Sequence, residues 1–288
     1  MKIGIVGKFD FHLECIPFLL EIFKDDTVNI YVNCNKYGWL DYCKTLHTDI
    51  NIFLNQFNNI LQNNDKIIKL TSNDNCLDNE KVISILHLNL KELKCKSSNY
   101  ISMTPYISGD KIFYTFPIFN PTISYCLDKV VTFVGYYLNS NFDKDTINFI
   151  KQNSNYHFNF IIWAEMHLPN NYSNIRSLKN VSVYNGISTL KLIEIINSSK
   201  FIMSKKYINF DRFSGQLGLA ISFEKPLIID SKTQKAYQLP GFSFDKNYSE
   251  LYSLDSITDK EYNIKIKEIQ EFKKKGLENN INIFKEIT

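Results

Sequence analysis

Residues 180–230 read NVSVYNGISTLKLIEIINSSKFIMSKKYINFDRFSGQLGLAISFEKPLIID. Val181 to Tyr184 is a short apolar strand that runs into Asn185 and Gly186. Ser188 stands where a helix N-cap is wanted, and Leu190, Leu192, Ile193, Ile195 and Ile196 then recur at helical spacing toward Ser198. Phe201 to Met203 is a second strand. The small-residue turn Ser214-Gly215 opens a short apolar helix, and Lys225-Pro226 leads into a third strand, Leu227 to Asp230. Strands and helices alternating in this way predict a parallel sheet with helical crossovers.

The rhythm extends in both directions. Upstream, Lys129 to Val134 is an apolar strand ending at Gly135, Lys144 to Gln152 is a helix, and Phe158 to Ala164 is a strand. At the N-terminus, Lys2 to Gly7 is a strand ending in glycine, followed by Leu13, Ile16, Leu19, Leu20 and Phe23 at helical spacing, with Pro17 suited to the first turn. Thr27 to Val32 reads as another strand and Tyr37 to Leu46 as another helix. Between residues 50 and 128 the strand candidates are Ile67 to Leu70, Val82 to Leu86, Tyr100 to Thr104 and Lys111 to Phe116, and their order stays open. After Pro240-Gly241 the chain turns polar and aromatic until a long helix from about Ile257 to Lys275, with Tyr262, Ile266, Ile269 and Phe272 on its apolar side and Gly276 as its stop.

Composition narrows the function classes. Hydrophobic residues at 44% against charged residues at 22% favour a packed core over disorder, and 288 residues suit two domains of ordinary size. The net charge of +3 is too balanced for a chain that wraps nucleic acid. The basic run Lys273 to Lys275, with Lys265 and Lys267 upstream, is interleaved with Glu261, Glu268 and Glu271 and reads as a solvated helix face. All six cysteines fall within the first 126 residues without CxxC pairs, which predicts free thiols in a reducing, cytoplasmic compartment. His47, His87, His157 and His167 are scattered, so no metal site is expected. No apolar run approaches the roughly 18 residues of a membrane span, and the N-terminus reads as a strand in place of a signal peptide.

Two places can carry chemistry. If Ser214 caps a helix beginning at Gly215, the amides of Gly215, Gln216 and Leu217 are left without intrahelical acceptors, and an anion can use them. A capped helix packed behind a strand explains the same residues, and both readings stand at this level. The loop after the first strand, Gly7 to Glu14, offers His12 and Asp10 as groups able to orient or deprotonate a hydroxyl, although a histidine at a helix start also serves as a surface or capping residue. Glu165, just beyond the strand Phe158 to Ala164, is a further acceptor-side carboxylate.

The order of elements from Lys129 to Asp230 resembles the C-terminal nucleotide-sugar-binding half of GT-B glycosyltransferases. The stretch KVVTFVGYYL at Lys129 to Leu138 is similar to the strand and glycine loop that open that half, and residues 180–230 are similar to its later helices and its KP-strand. The resemblance implies an α/β chain of two Rossmann-like domains facing a cleft, with a C-terminal helix that crosses back to the first domain. It implies boundaries at 1–125 for an acceptor-side domain, 126–256 for a donor-binding domain and 257–288 for the helix. It implies a glycosyltransferase that moves a sugar from a nucleotide diphosphate sugar to a hydroxyl acceptor on a glycan or other molecule, with no metal or other cofactor. On that comparison Gly135, Ser214, Gly215 and Gln216 bind the donor, with Lys205, Lys206 and Arg212 to neutralise its diphosphate. Retaining members carry two glutamates eight positions apart, and Asp211 and Leu219 occupy those positions here. Asp211 therefore joins His12 and Asp10 as a catalytic candidate. Tyr136 and Asn141 stand where an Arg and a Lys are common, and the alternative expectation is a binding or assembly protein that kept the fold without the chemistry.

Overall fold

The computed structural model describes residues 1–8, 12–70, 79–86, 99–103, 121–125, 129–134, 143–162, 175–204, 215–245, 248–251 and 253–287. The chain divides into two compact units, one comprising Met1–Asn120, Asn209–Gly218 and Lys274–Thr288, the other Pro121–Ile208 and Leu219–Lys273.

The first unit carries strands β1 (Lys2–Gly7), β2 (Thr27–Val32), β3 (Ile50–Leu54), β4 (Lys66–Lys69), β5 (Val82–Leu86) and β6 (Tyr100–Ser102). They form one sheet in the order β3-β2-β1-β4-β5-β6, parallel throughout. Its helices include α1 (Ile16–Ile22), α2 (Trp39–Leu46) and the single turn α3 (Ile60–Asn63). The inner strands are apolar on both faces because helices are expected on both sides of a parallel sheet, and Ile3, Ile5, Val28, Ile30, Ile67 and Ile68 are wholly buried. Pro17 sits in the first turn of α1, where its missing N–H costs no helical bond.

The second unit repeats the plan. Strands β7 (Val130–Val134), β8 (His157–Ile162), β9 (Val181–Asn185), β10 (Phe201–Met203), β11 (Leu227–Asp230) and β12 (Gly241–Phe244) form a parallel sheet in the order β9-β8-β7-β10-β11-β12. Its crossover helices include α4 (Asp143–Gln152) and α5 (Thr189–Asn197). Ser188 caps α5 as its sequence position predicts, its Oγ accepting from the Lys191 amide at 3.3 Å. A helix of eight residues, α6 (Gly215–Ser222), precedes β11, and α7 (Ser231–Tyr237) joins β11 to β12. In each sheet the connections reverse direction between the two central strands, β1 and β4 in one and β7 and β10 in the other, and such a reversal opens a crevice at the carboxyl ends of the strands.

Each unit fixes these central strands with a buried polar ladder. In the first, Asn64 donates from Nδ2 to the Ile60 carbonyl at 2.8 Å and to the Tyr31 hydroxyl at 3.1 Å, while its Oδ1 accepts from Asn29 Nδ2 at 2.8 Å. This long side chain lies across Gly4, where a Cβ would stand 2.9 Å from Asn64 Cγ. In the second, Thr132 takes the equivalent place, between Asn159 on β8 and Ile202 on β10, as Gly4 lies between Asn29 and Ile67. Its hydroxyl lies 2.6 Å from that of Ser199 and accepts from Asn159 Nδ2 at 3.3 Å. A small residue facing a long one has been exchanged for a medium residue facing a short one, and both ladders are buried.

The C-terminal helix corrects two expectations. The last helix, α8 (Asp259–Ile287), continues through Gly276. A glycine inside a helix costs only about 1 kcal/mol, and beyond it Asn280 and Phe284 are fully buried, with Phe284 edge-on to Phe23 at 5.7 Å. The helix begins at a capping box: the Thr258 amide donates to Glu261 Oε2 at 2.8 Å and the Glu261 amide to Thr258 Oγ1 at 3.2 Å. The basic run is also more than a solvated face, because Lys273 is largely buried and donates to the Ser222 carbonyl at 2.9 Å and to Glu224 Oε1 at 3.3 Å. Among the described residues, Cys15, Cys34 and Cys43 are free thiols, and burial pushes the Cys43 thiol up, which makes it an inert core group. No helix among the described residues is long and apolar enough to cross a membrane. The strand candidate Lys111 to Phe116 lies outside the described residues.

Candidate active site

The site is built where β1 ends. Gly7 closes that strand, and a Cβ on it would meet Leu70 Cδ1 at 3.0 Å and Leu13 Cδ2 at 3.4 Å. Glycine at this point lets Leu13 fold down onto the strand end, where it is fully buried. The chain re-enters regular structure through His12, whose φ of 70° lies in the left-handed region, and a 3-10 turn at Leu13–Cys15 follows, closed by the Cys15 amide donating to the His12 carbonyl at 3.1 Å. Leu13 and Cys15 point into the core, so His12 and Glu14 between them keep partial exposure, about one fifth of each side chain. His12 Nδ1 lies 3.6 Å from Glu14 Oε1, just beyond hydrogen-bond reach.

The same carboxylate reaches α6. A Cβ placed on Gly215, the first residue of that helix, would stand 3.1 Å from Glu14 Oε1 and 3.7 Å from its Cδ. A side chain at this position would oblige the carboxylate to give by a few tenths of an ångström. The first amides of any α-helix have no intrahelical acceptor and carry a partial positive charge, so a carboxylate at this end is favourably placed. Along the rest of the helix Leu217, Leu219, Ala220 and Ile221 are buried. Gln216 is buried too.

Of the residues singled out from the sequence, the structure brings His12 and Gly215 to one carboxylate and places Gln216 in the same helical turn. Asp10, Gly135, Glu165, Lys205, Lys206, Asp211, Arg212 and Ser214 lie outside the described residues. Glu14 is the group to which sequence reading assigned no role. Its neighbour His12 was the only local signal, since the partner at Gly215 is some two hundred positions away. No cluster of three or more potential metal ligands occurs among the described residues.

A second polar cluster lies at the other end of α6. Glu224 has a φ of 54° at the turn between α6 and β11, and it accepts from Tyr125 at 2.5 Å, Gln270 at 2.8 Å and Lys273 at 3.3 Å. Burial pushes its carboxyl up, but the hydrogen bonds from Tyr125 and Gln270 with the Lys273 ammonium outweigh burial and hold it below the usual range. Burial and the same carboxylate push Tyr125 up to about 12. On the lysine side burial wins over Glu224 and holds the ammonium below its ordinary value. The neighbouring Lys225 is fully buried and donates to the carbonyls of Ser124 at 2.6 Å and Asn197 at 2.8 Å. With their donors and acceptors directed at one another, these groups are structural.

No family model matches the sequence. No curated protein matches it either. Solved structures do. HepE from Anabaena, determined in complex with UDP, aligns over 100% of this chain and 99% of its own at a TM-score of 0.60 and 12% identity. AviGT4, a glycosyltransferase involved in avilamycin A biosynthesis, aligns over 98% of this chain and 94% of its own at a TM-score of 0.56 and 8% identity. The chain has the GT-B fold. The UDP-GlcNAc 2-epimerase of Neisseria meningitidis, bound to UDP-GlcNAc, shares it over 100% of this chain and 99% of its own, at a TM-score of 0.55 and 14% identity. His12 and Glu14 follow the first strand of the first unit.

Proposed function

We propose that this chain is a glycosyltransferase that binds a nucleoside diphosphate sugar and moves the sugar to a hydroxyl acceptor. What supports the reading is a carboxylate, Glu14, that lies 3.6 Å from the His12 imidazole and beside Gly215 at the start of α6, in a chain that matches GT-B structures end to end. His12 takes the acceptor proton, with Asp10 beside it in the loop, and Glu165 and Asp211 supply further carboxylates toward acceptor and sugar. The amides of Ser214, Gly215 and Gln216, with Lys205, Lys206 and Arg212, stabilise the charge that develops on the departing diphosphate, and Gly135 admits the nucleotide closely. That stabilisation needs no metal ion.

Titration calorimetry with UDP, GDP, ADP and dTDP tests the binding half of this reading, and saturable binding of at least one is expected. Incubation of the matching nucleotide sugars with hydroxyl acceptors in EDTA tests the chemistry, and His12→Ala is expected to lower kcat by about 10²- to 10⁴-fold. Absence of binding across the panel overturns the reading. The epimerase neighbour gives a second reading, conversion of a nucleotide sugar to its isomer. Mass spectrometry separates the two: transfer adds the mass of a sugar residue to the acceptor, whereas isomerisation leaves the donor mass unchanged and needs no acceptor. Nucleotide-sugar binding with neither product supports the non-catalytic binding protein.

A further inference from the structure

We propose that the loops at the carboxyl ends of β2 and β3 bind an uncharged sugar, with Tyr37 as the ring against which its face stacks. The inference rests on the hydroxyl-acceptor reading above and deepens it by naming the acceptor as a neutral carbohydrate. The two ends of this sheet differ in chemistry. The turns that lead into β2, β3 and β4 carry Asp25, Asp26, Asp49 and Asp65. The loops that leave β2 and β3, residues 33–38 and 55–59, contain no acidic residue and carry Asn33, Asn35, Asn55, Gln56, Asn58 and Asn59 around Tyr37 and Phe57. An asparagine bias spread over the chain would not sort the carboxylates to one end. A carboxamide both donates and accepts, as a sugar hydroxyl does, and the electron-rich face of an aromatic ring suits the C–H side of a sugar. The nearest ammonium, that of Lys8, is engaged over the Phe57 ring, 5.7 Å from its centre.

Backbone strain falls at the same place. Tyr37 has φ 67° and ψ 3°, in the left-handed region, immediately before Gly38 at φ 75°. Glycine takes such angles freely, whereas a bulky residue there is an outlier that persists only where its surroundings over-determine it. Asn35 supplies that constraint: its carbonyl accepts from the Gly38 amide at 3.3 Å, its Oδ1 from the Leu40 amide at 3.0 Å, and its Nδ2 donates to Asp41 Oδ2 at 2.9 Å. Trp39 and Leu40 are buried and seat the start of α2, while Tyr37 stays half-exposed. A glycine at position 37 would allow the same path without strain, so the backbone does not call for the tyrosine. The turn also stands on the ligand-binding edge of the sheet. β2 pairs with β1, and Asn33 Nδ2 donates to the Lys8 carbonyl, which ties the loop after β2 to the loop after β1 that leads to His12. Open parallel sheets bind their ligands at this edge, outside the carboxyl ends of the strands.

Saturation-transfer NMR on the full chain, with and without UDP, tests the site. The neutral probes are the methyl glycosides of glucose, galactose, mannose and N-acetylglucosamine, with lactose and cellobiose. Methyl glucuronide stands for a charged sugar and 4-methylumbelliferone for a flat aromatic hydroxyl. At least one neutral sugar is expected to bind wild type saturably. Tyr37→Phe keeps the ring and should hold its Kd within about twofold. Tyr37→Gly should weaken binding about tenfold, the scale of one lost stacking contact, and should melt at or above the wild-type temperature because glycine relieves the left-handed φ. A tyrosine needed only for packing gives the reverse, a lower melting temperature with sugar binding unchanged. Failure of every neutral sugar to bind, tighter binding of the glucuronide or the umbelliferone, an unchanged Kd in Tyr37→Gly, or a Tyr37→Gly melt clearly below wild type each overturns the proposal. Calorimetry with UDP, GDP, ADP and dTDP separates this outcome from the donor reading. Sugar binding without binding of any nucleotide removes the transferase and leaves the sugar site, whereas nucleotide binding without sugar binding removes the sugar site alone.

Discussion

Replacing Lys273 with methionine isolates one contact of the C-terminal helix and gives a sharp measure of what it contributes. Lys273 donates to the Ser222 carbonyl at 2.9 Å and to Glu224 Oε1 at 3.3 Å, and the two side chains of the pair are only 14% and 11% exposed. Methionine preserves most of the stem's packing and removes the charge and its hydrogen bonds. Removing one partner of a buried pair costs about 3–5 kcal/mol, because the other charge stays buried and uncompensated. Two features reduce that figure here. Glu224 keeps its bonds from Tyr125 and Gln270, and burial already holds the Lys273 ammonium below its ordinary value, so the native pair bears a desolvation cost that the variant escapes. The expected loss is therefore about 2 kcal/mol at pH 7, or about 4–8 °C in the melting temperature of a unit of this size.

The pH dependence identifies the cause. The native Glu224 pKa is held below that of the unfolded chain, so the group stabilises the fold above the ordinary carboxylate pKa and loses that contribution as pH falls through its folded value. In Lys273→Met, burial remains while the ammonium is gone, so the carboxyl pKa rises. The difference between wild type and variant should be largest near pH 7 and shrink on acidification into the carboxylate range, and the double variant Lys273→Met/Glu224→Gln should lose less than the sum of its parts. Urea unfolding at pH 7 and at pH 4 measures all three. A loss that is the same at both pH values, or below about 0.5 kcal/mol at pH 7, refutes the ion-pair account and leaves Lys273 as a solvated surface group.

Two further substitutions test the packing that positions the site. Gly241→Ala would place a Cβ 2.6 Å from the Leu227 carbonyl oxygen, a clash with backbone that no rotamer relieves; the β11–β12 pairing must shift, and urea unfolding should show a loss of about 2–4 kcal/mol. Gly4→Thr alone should fail to accumulate as folded protein because its Cβ meets Asn64 Cγ at 2.9 Å, whereas Gly4→Thr with Asn64→Ser recreates the Thr132–Ser199 arrangement of the second unit and should recover soluble protein and a cooperative melt.

How much of this fold the sequence makes legible depends on where each strand sits. The central strands are buried on both faces and read as mainly apolar runs, so β1, β2, β7 and β10 are recognisable at once. At the sheet edge, β3 (INIFL) keeps its residues half-exposed, and it mixes an asparagine into a run too short to stand out. Polar α7 (SKTQKAY) hides for the opposite reason: its N-cap, Asp230, accepts from the Thr233 amide at 3.0 Å but is also the last residue of β11, and it reads as the end of a strand. In α8 the glycine reads as a stop because its local cost is visible in the sequence, while the burial of Phe284 against Phe23 that outweighs that cost is not.

The site divides along the same line. Gly215 is legible as a helix start because its meaning is local: a small residue after a serine, ahead of an apolar turn. His12 is legible as chemistry because imidazole is the one side chain that titrates near neutral pH. Glu14 carries neither kind of mark. An acidic residue in the first turn of a helix is ordinary, and its closeness to Gly215 is a contact that no periodicity records. The contact accounts for the glycine in packing terms: a Cβ at Gly215 would stand 3.1 Å from Glu14 Oε1, so the start of α6 and the loop after β1 come this close only where the side chain is absent or the carboxylate gives way.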